Sequence, residues 1–232
     1  MSSALAKAEQ RADRSAGGRG PNGEGSRQNI IAIATEEFAA KGFSGARIDE
    51  IAARTNTSKR MIYYYFTDKE GLFVAVLEEA YGRIRQIEST LNLDHLEPEQ
   101  ALRALVGFTF DYQNENQDFI RLVMVENIHN GAHLAKSKLI QDLNVSVIET
   151  LRRIYERGRE AGVFRDGIDA IDLHMSISAL CVFNVANRAT FSRIFKRDMT
   201  SPEALARRRE VVIETIVRYA TADATGAARP GK

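Results

Sequence analysis

Residues 47–69 read RIDEIAARTNTSKRMIYYYFTDK, two short runs of helical periodicity on either side of Thr55-Asn56-Thr57. Ile48, Ile51 and Ala52 share one face of the first run, and Ile62 and Phe66, four apart, share one face of the second. Ser58 suits the N-cap of the second run. Asn56 suits a tight turn, because asparagine tolerates left-handed backbone. No acidic residue lies between Ile51 and Thr67, whereas Arg54, Lys59, Arg60 and the run Tyr63 to Tyr65 all do. Lys59 with Tyr63, and Arg60 with Tyr64, are four apart and form an outward face of cations and hydrogen-bonding groups. A helix-turn-helix needs a small apolar core, a tight turn and an exposed second helix for the major groove. This segment supplies all three, so it is expected to meet DNA.

Before this stretch, Ile30, Ile31, Ala34, Phe38 and Ala39 recur at helical spacing and stop at Lys41-Gly42, a basic last turn with a C-cap glycine. After it, Asp68 is the expected N-cap of a helix from Lys69 to about Leu93, with Leu72, Phe73, Val76, Leu77, Ala80, Ile84 and Ile87 as its apolar stripe. From Pro98 onward, helical patterns are expected near 98–114, 117–129, 133–161, 169–195 and 202–221. Asp169 and Asp172 resemble a capping box, and Pro202 after Ser201 suits a first helical turn. No strand-like alternation persists. The fold class is therefore all-α, with about nine helices. Residues 1–26, rich in Ser, Ala, Gly and Arg, read as a disordered tail, and 223–232 as a flexible one.

Bulk properties narrow the function classes. The chain has 232 residues, 44% of them apolar and 27% charged, which describes a globular protein with a real core. A formal net charge of +1 argues against a protein that coats nucleic acid indiscriminately. Residues 1–70 carry 11 basic and 9 acidic groups, so the informative charge is the local cluster. The single cysteine, Cys181 in SALCVFNVA, reads as a buried thiol and excludes an intramolecular disulfide framework. No signal peptide or membrane-length apolar run is seen, so a cytoplasmic location is expected.

Over residues 27–73 the sequence resembles the DNA-binding domain of the TetR (tetracycline-repressor-like) family of bacterial transcription regulators. The resemblance rests on Phe38, Gly42-Phe43, Ile48, Ile51-Ala52, Ser58, Ile62-Tyr63, Tyr65-Phe66 and Lys69-Glu70, in order and without a gap. It implies that the helix from Ser58 is the recognition helix, and that Tyr63 and Lys69 bind phosphates. The turn glycine of many relatives is Asn56 here. Arg47 stands where a Thr or Ser is usual, giving up a hydroxyl cap for a longer cationic reach. Arg60 replaces what is often a small residue, and an Arg contact to guanine would be worth ~1–3 kcal/mol of discrimination. The expected DNA-binding set is Arg47, Ser58, Lys59, Arg60, Tyr63, Tyr64 and Lys69.

The same resemblance implies a second domain, 74–222, that binds a small-molecule effector and dimerises through the helices near 169–195 and 202–221. The expected interface stripes are Ile171, Met175, Ser178, Val182, Val185 and Ala189, and Ala204, Val211, Val212, Ile216 and Tyr219. A dimer would set two recognition helices about 34–36 Å apart on a palindromic operator. Effector-pocket candidates are Phe108, Tyr112, Asn127, Phe183, Asn184, Asn187 and Arg188, with Phe110, Met124, His129 and Met175 nearby in the pattern. Asn184, Asn187 and Arg188 fall on one helical side among apolar residues. They would be partnered either by a small polar or anionic ligand or, as each taken singly favours, by neighbouring helices that they cap or bridge at the dimer interface. His129 and His133 are four apart, but Asn130-Gly131 interrupts them, and they read as surface histidines without a metal. No catalytic constellation, phosphate loop or cofactor motif emerges. The expectation is a ligand-responsive repressor; the alternative is a DNA-binding protein whose second domain only dimerises.

Overall fold

Phe38 and Phe43, from one helix, meet Phe73, from another, in one small core, with Phe73 edge-on to Phe38 at 4.9 Å and tilted against Phe43 at 5.3 Å. Around them lie α1 (Pro21–Gly45), α2 (Ile48–Arg54), α3 (Lys59–Phe66) and the start of α4 (Lys69–Glu88). Ile30, Ile31, Ala34, Ile51, Ile62 and Leu72 are also buried, the inward sets expected from their spacing. The structure is a computed structural model that describes residues 21–222. The chain divides into two compact units, Met1–Val76 and Leu77–Lys232.

Helix α1 starts at Pro21, five residues before the expected onset of order; proline at a helix start loses only a donor that would have no partner there. Of the expected tails, residues 1–20 of the 1–26 segment and all of 223–232 lie outside the described residues. Gly42 has φ +69°, the left-handed geometry expected of its C-cap role, and breaks the helical path inside α1.

The second unit holds the rest of α4, two short 3-10 turns (Ser89–Leu91, Leu93–His95), α5 (Pro98–Glu115), α6 (Gln117–Ile128), a 3-10 turn at Leu134–Lys136, α7 (Lys138–Glu160), α8 (Ala170–Ala186), α9 (Arg188–Ile194) and α10 (Pro202–Ala220). Helix α5 packs against α6, α7, α8 and α10. Its inner residues Leu102, Leu105, Val106 and Phe110 join Leu151, Ile154, Leu173, Ile177, Cys181, Val212 and Ile216 in the main core. Arg103 reaches Glu99 at 2.9 Å and Glu214 at 2.6 Å, and Arg209 Nε lies 2.9 Å from both Asp111 oxygens, tying α5 to α10 on the surface. Cys181 is buried as expected, and burial pushes its thiol up to about 12.

Ten α-helices among the described residues replace the expected nine. The 169–195 pattern divides at Asn187 with a 61° bend, where Asn187 caps α8 and its carbonyl receives Thr190 Oγ1. The 133–161 pattern divides at Ser137, whose hydroxyl accepts from Ile140 N–H and donates to Glu78 Oε1. Helix α4 ends at Glu88 rather than near Leu93. Ser89 and Thr90 bond back to the carbonyls of Gln86 and Ile87, and Asn92 takes φ +51°. Ile87, expected in the buried stripe, is exposed in this last turn. Of the expected interface stripes, Val212 and Ile216 are core residues, because they lie on the face of α10 that meets α5.

Candidate functional site

Helix α3 is eight residues long, too short to hold itself, and depends on its ends and its inner face. Ser58 caps it, accepting from Met61 N–H at 3.2 Å. Asn56 turns the chain with φ +51°, so the left-handed backbone expected of it is what the turn uses. Ile62 and Phe66 anchor the inner face in the core. These restraints leave Lys59, Arg60, Tyr63 and Tyr64 on the exposed side. Tyr63 is 42% and Tyr64 65% exposed, so both rings are open to a partner. Tyr64 leans edge-on against Tyr65 at 5.5 Å, which steadies its ring.

Acidic neighbours hold Lys59 on this face and Arg54 and Lys41 elsewhere in the unit. Lys59 pairs with Asp49 at 2.5 Å, and Arg54 with Glu36. Lys41 pairs with Glu37 at 2.9 Å, and Glu37 also accepts the Arg47 backbone N–H at 3.2 Å. Burial of Glu37 raises its pKa, yet the bonds from Lys41 and Arg47 N–H and the charges of Lys41 and Arg54 outweigh it and hold the carboxyl below its usual value. Arg47 stands at the N-cap of α2 without a side-chain cap bond, as its replacement of a hydroxyl residue implied, and its side chain is exposed. The Glu37 carboxylate supplies, from outside α2, an acceptor for this backbone. Lys69 is less open than the sequence suggests. Its ammonium donates to Ala46 O at 2.6 Å and Ser44 O at 3.4 Å, and lies 5.1 Å from the Phe43 ring centre. Burial lowers its pKa, partly offset by Glu37.

The effector candidates of the second unit separate into two groups. Phe183, Asn184, Asn187 and Arg188 line one cavity of about 330 Å³ together with Phe191, Met199 and arginines 197, 207 and 208. Within it, Asn184 Nδ2 donates to Asn114 Oδ1 at 3.1 Å and Arg188 Nη2 donates to the same oxygen, so these two bridge α5 to α8 and α9. Phe108 and Tyr112 instead pack into a cluster with Ile84, Phe119 and Ile120. Asn127 is exposed and bonds back to Val123 O, while Met124 and Met175 are exposed and Phe110 is core. His133 is not a surface histidine: it is buried, its Nδ1 2.7 Å from Glu126 Oε2 and its N–H on Glu126 Oε1. His129 meets its ring at 5.4 Å. Among the described residues no three metal-ligating side chains cluster.

Sequence reasoning passed over a polar set near Tyr112. Arg85 and Glu88 form a buried ion pair in the last turn of α4. His174 is held down to about 4 by burial and by the charge of Arg85. Burial also lowers Arg85 and raises Tyr81 and Tyr112. The available signal was the three-residue spacing of opposite charges inside an apolar stripe.

A profile of bacterial regulatory proteins of the tetR family matches residues 30–76, and one of the tetracyclin repressor-like C-terminal domain matches residues 98–216. The HTH-type transcriptional repressor NicS of Pseudomonas putida is 39% identical over 193 residues, covering 83% of this chain and 91% of that protein. The HTH-type transcriptional repressor SCO4008 of Streptomyces coelicolor is 29% identical over 158 residues, covering 68% and 77%. The fold matches the crystal structure of a tetR-family regulatory protein from Rhodococcus RHA1 with a TM-score of 0.67 at 23% identity, covering 85% of this chain and 98% of that one. With both halves matched, and with a capped, outward-facing α3 on a trihelical core, this chain belongs to the TetR family of bacterial transcriptional regulators.

Proposed function

We propose that this chain is a cytoplasmic repressor that binds a palindromic operator as a homodimer and is released by a small-molecule effector held in its second unit. The observation that carries the reading is α3: a capped helix with two buried anchors and an outer face of Lys59, Arg60, Tyr63 and Tyr64. In this reading Lys59, Arg60 and Tyr64 read base edges in the major groove, while Arg47, Tyr63 and Lys69 position the protein on phosphates. Ser58 sets the height at which the helix starts.

Dimerisation uses the outer faces of α8 and α10, where Ile171, Met175, Val211 and Tyr219 are large apolar groups left exposed in one chain. Effector binding moves the recognition helices from the spacing the operator needs, and by linkage operator DNA weakens effector binding by the same factor. The names of the relatives, both repressors, support the sign of the control.

The test is fluorescence anisotropy with duplexes from the chain's own promoter region. Binding should occur as a dimer to a two-half-site duplex, and Tyr63→Ala and Arg60→Ala should each weaken it. Unchanged affinity in both variants would refute α3 as the reading element.

A further inference from the structure

Elsewhere on α5 and α10, arginines are answered by carboxylates. Arg103 meets Glu99 and Glu214, Arg209 meets Asp111, and Arg218 meets Glu214 at 3.4 Å. The cavity of about 330 Å³ bounded by α8, α9 and α10 breaks this pattern. Arg188 from α9, Arg197 from the segment before α10, and Arg207 and Arg208 from α10 line it, with no aspartate or glutamate. Among the described residues none of these four arginines forms an ion pair within 4.0 Å. Arg188 is the sharpest case. It is half-buried, and the acceptor it reaches, Asn114 Oδ1, is neutral. Burial lowers its pKa, with no acidic neighbour to offset the loss of water.

Charge and shape together choose the ligand. A hollow walled by one sign of charge and by apolar groups focuses its field on whatever enters. An ammonium would add a further positive charge, and a neutral molecule would leave the arginines unanswered. An anion supplies the missing counter-charge, and a carboxylate matches the planar fork of an arginine with two parallel bonds. The rest of the wall is apolar. Phe183 and Phe191 meet edge-on at 5.2 Å, and Met199, Ala204 and Val211 extend the same lining. A bare inorganic anion would leave this wall facing water, whereas a hydrocarbon body would cover it. The volume lies near the lower end of the ~300–1,000 Å³ usual for small-molecule sites, which limits that body to a ring or a short chain.

We propose that this cavity binds a small organic carboxylate with an apolar body, its charge held by Arg188 and Arg208 and its body laid against Phe183, Phe191 and Met199. Arg197 and Arg207 are the more exposed pair and draw the anion in. This deepens the effector-response reading and rests on it for its consequence. The ligand joins α9 to α10 beside Val211, which is 46% exposed and belongs to the proposed dimer face. Its arrival therefore acts where two protomers would meet.

The test is titration calorimetry on the full chain with 3-phenylpropanoate and octanoate, an aryl and an alkyl carboxylate. At least one should bind saturably, once per protomer, with a Kd of roughly millimolar order or tighter for so small a probe. The alcohol and the amine that correspond to the tighter anion should bind about tenfold or more weakly. Arg188→Gln and Arg208→Gln should each weaken the anion by about tenfold or more, as loss of a charged donor predicts. Ala204→Phe, which sets a ring in the cavity from the first turn of α10, should abolish its binding. The alcohol and amine are compared on the parent protein, so that result stands whatever the substitutions do to folding. No saturable binding of either anion, an alcohol or amine that binds as well as its anion, or full binding by Ala204→Phe would each overturn the site. So would undiminished binding by both arginine variants. Operator affinity is read separately by anisotropy. An anion that binds by these criteria yet leaves the operator complex intact supports the site and refutes its part in release.

Discussion

Lys69→Met separates two roles that one ammonium group is asked to fill. In the structure Lys69 ties the loop after α1 to the start of α4 through bonds to Ala46 O at 2.6 Å and Ser44 O at 3.4 Å, beside the Phe43 ring. A hydrogen bond from a charged donor contributes ~1.5–3 kcal/mol net. The shorter bond should supply most of this, and methionine keeps the packing of the aliphatic stem, so the expected loss is about 2 kcal/mol of unfolding free energy. The proposed phosphate contact has a different signature. Each phosphate neutralised adds ~0.9 to the slope of log affinity against log salt, so losing one Lys69 contact per protomer should flatten a dimer's slope by ~1.8. Denaturant unfolding reads the first effect, and anisotropy with an operator duplex over a salt series reads the second. An unchanged slope with lowered stability would make Lys69 a loop clamp and refute its phosphate role. A flattened slope with unchanged stability would mean that the carbonyl bonds stabilise nothing.

Two further outcomes follow from a paired charge and from a buried histidine. Asp49→Asn frees Lys59 from its carboxylate partner and removes a negative charge from the proposed DNA face. Affinity for non-operator duplex should rise with the salt slope steeper by up to ~1.8 for the dimer; identical salt series for variant and parent would refute the idea that Asp49 restrains this face. His174, with its folded value at about 4 through burial and the Arg85 charge against an ordinary 6.5, predicts a pH dependence. Between those two values the unfolded state binds more protons, so this contribution is intact above about pH 6.5 and is lost as pH falls through about 4, by at most ~3 kcal/mol. Chemical denaturation of parent and His174→Phe at pH 7 and pH 4.5 should show the smaller acid loss in the variant, and equal losses would refute it.

The DNA-binding unit was largely legible because each of its features is local. Ser58, Asn56, Asp68 and Gly42 act within a few residues of their own positions, and the bonds and dihedrals found there are those their chemistry demands. What sequence did not disclose lies where a residue's role depends on distant chain. Lys69 is satisfied by carbonyls more than twenty residues away, and Arg188 by Asn114 on another helix. A long apolar pattern such as 169–195 conceals its own bend, since apolar periodicity continues through a change of axis that is set by a tertiary tether. The stripe on α10 shows a related limit. A helix packed on one side and exposed on the other carries two apolar faces, and spacing alone merged Val211 and Tyr219 with Val212 and Ile216.

The near-neutral charge of the protein is consistent with how its proposed DNA face is built. Lys41, Arg54 and Lys59 all carry acidic partners there; the Arg54–Glu36 and Lys59–Asp49 pairs are solvent-exposed, whereas Glu37, the partner of Lys41, is buried. An exposed ion pair contributes only ~0–1 kcal/mol, so Arg54 and Lys59 can each exchange a carboxylate for a phosphate at small cost and with small gain. Affinity for arbitrary DNA is thereby kept low, and the weight shifts to base contacts and to engaging two half-sites together. A specific complex in the usual range of about 10⁻⁸–10⁻¹¹ M holds roughly 11–15 kcal/mol. If two equal half-sites share it, misplacing one recognition helix removes roughly 5.5–7.5 kcal/mol, about ten-thousandfold or more in affinity. An effector therefore need not dismantle either unit. A change in the spacing of two otherwise intact α3 helices is enough.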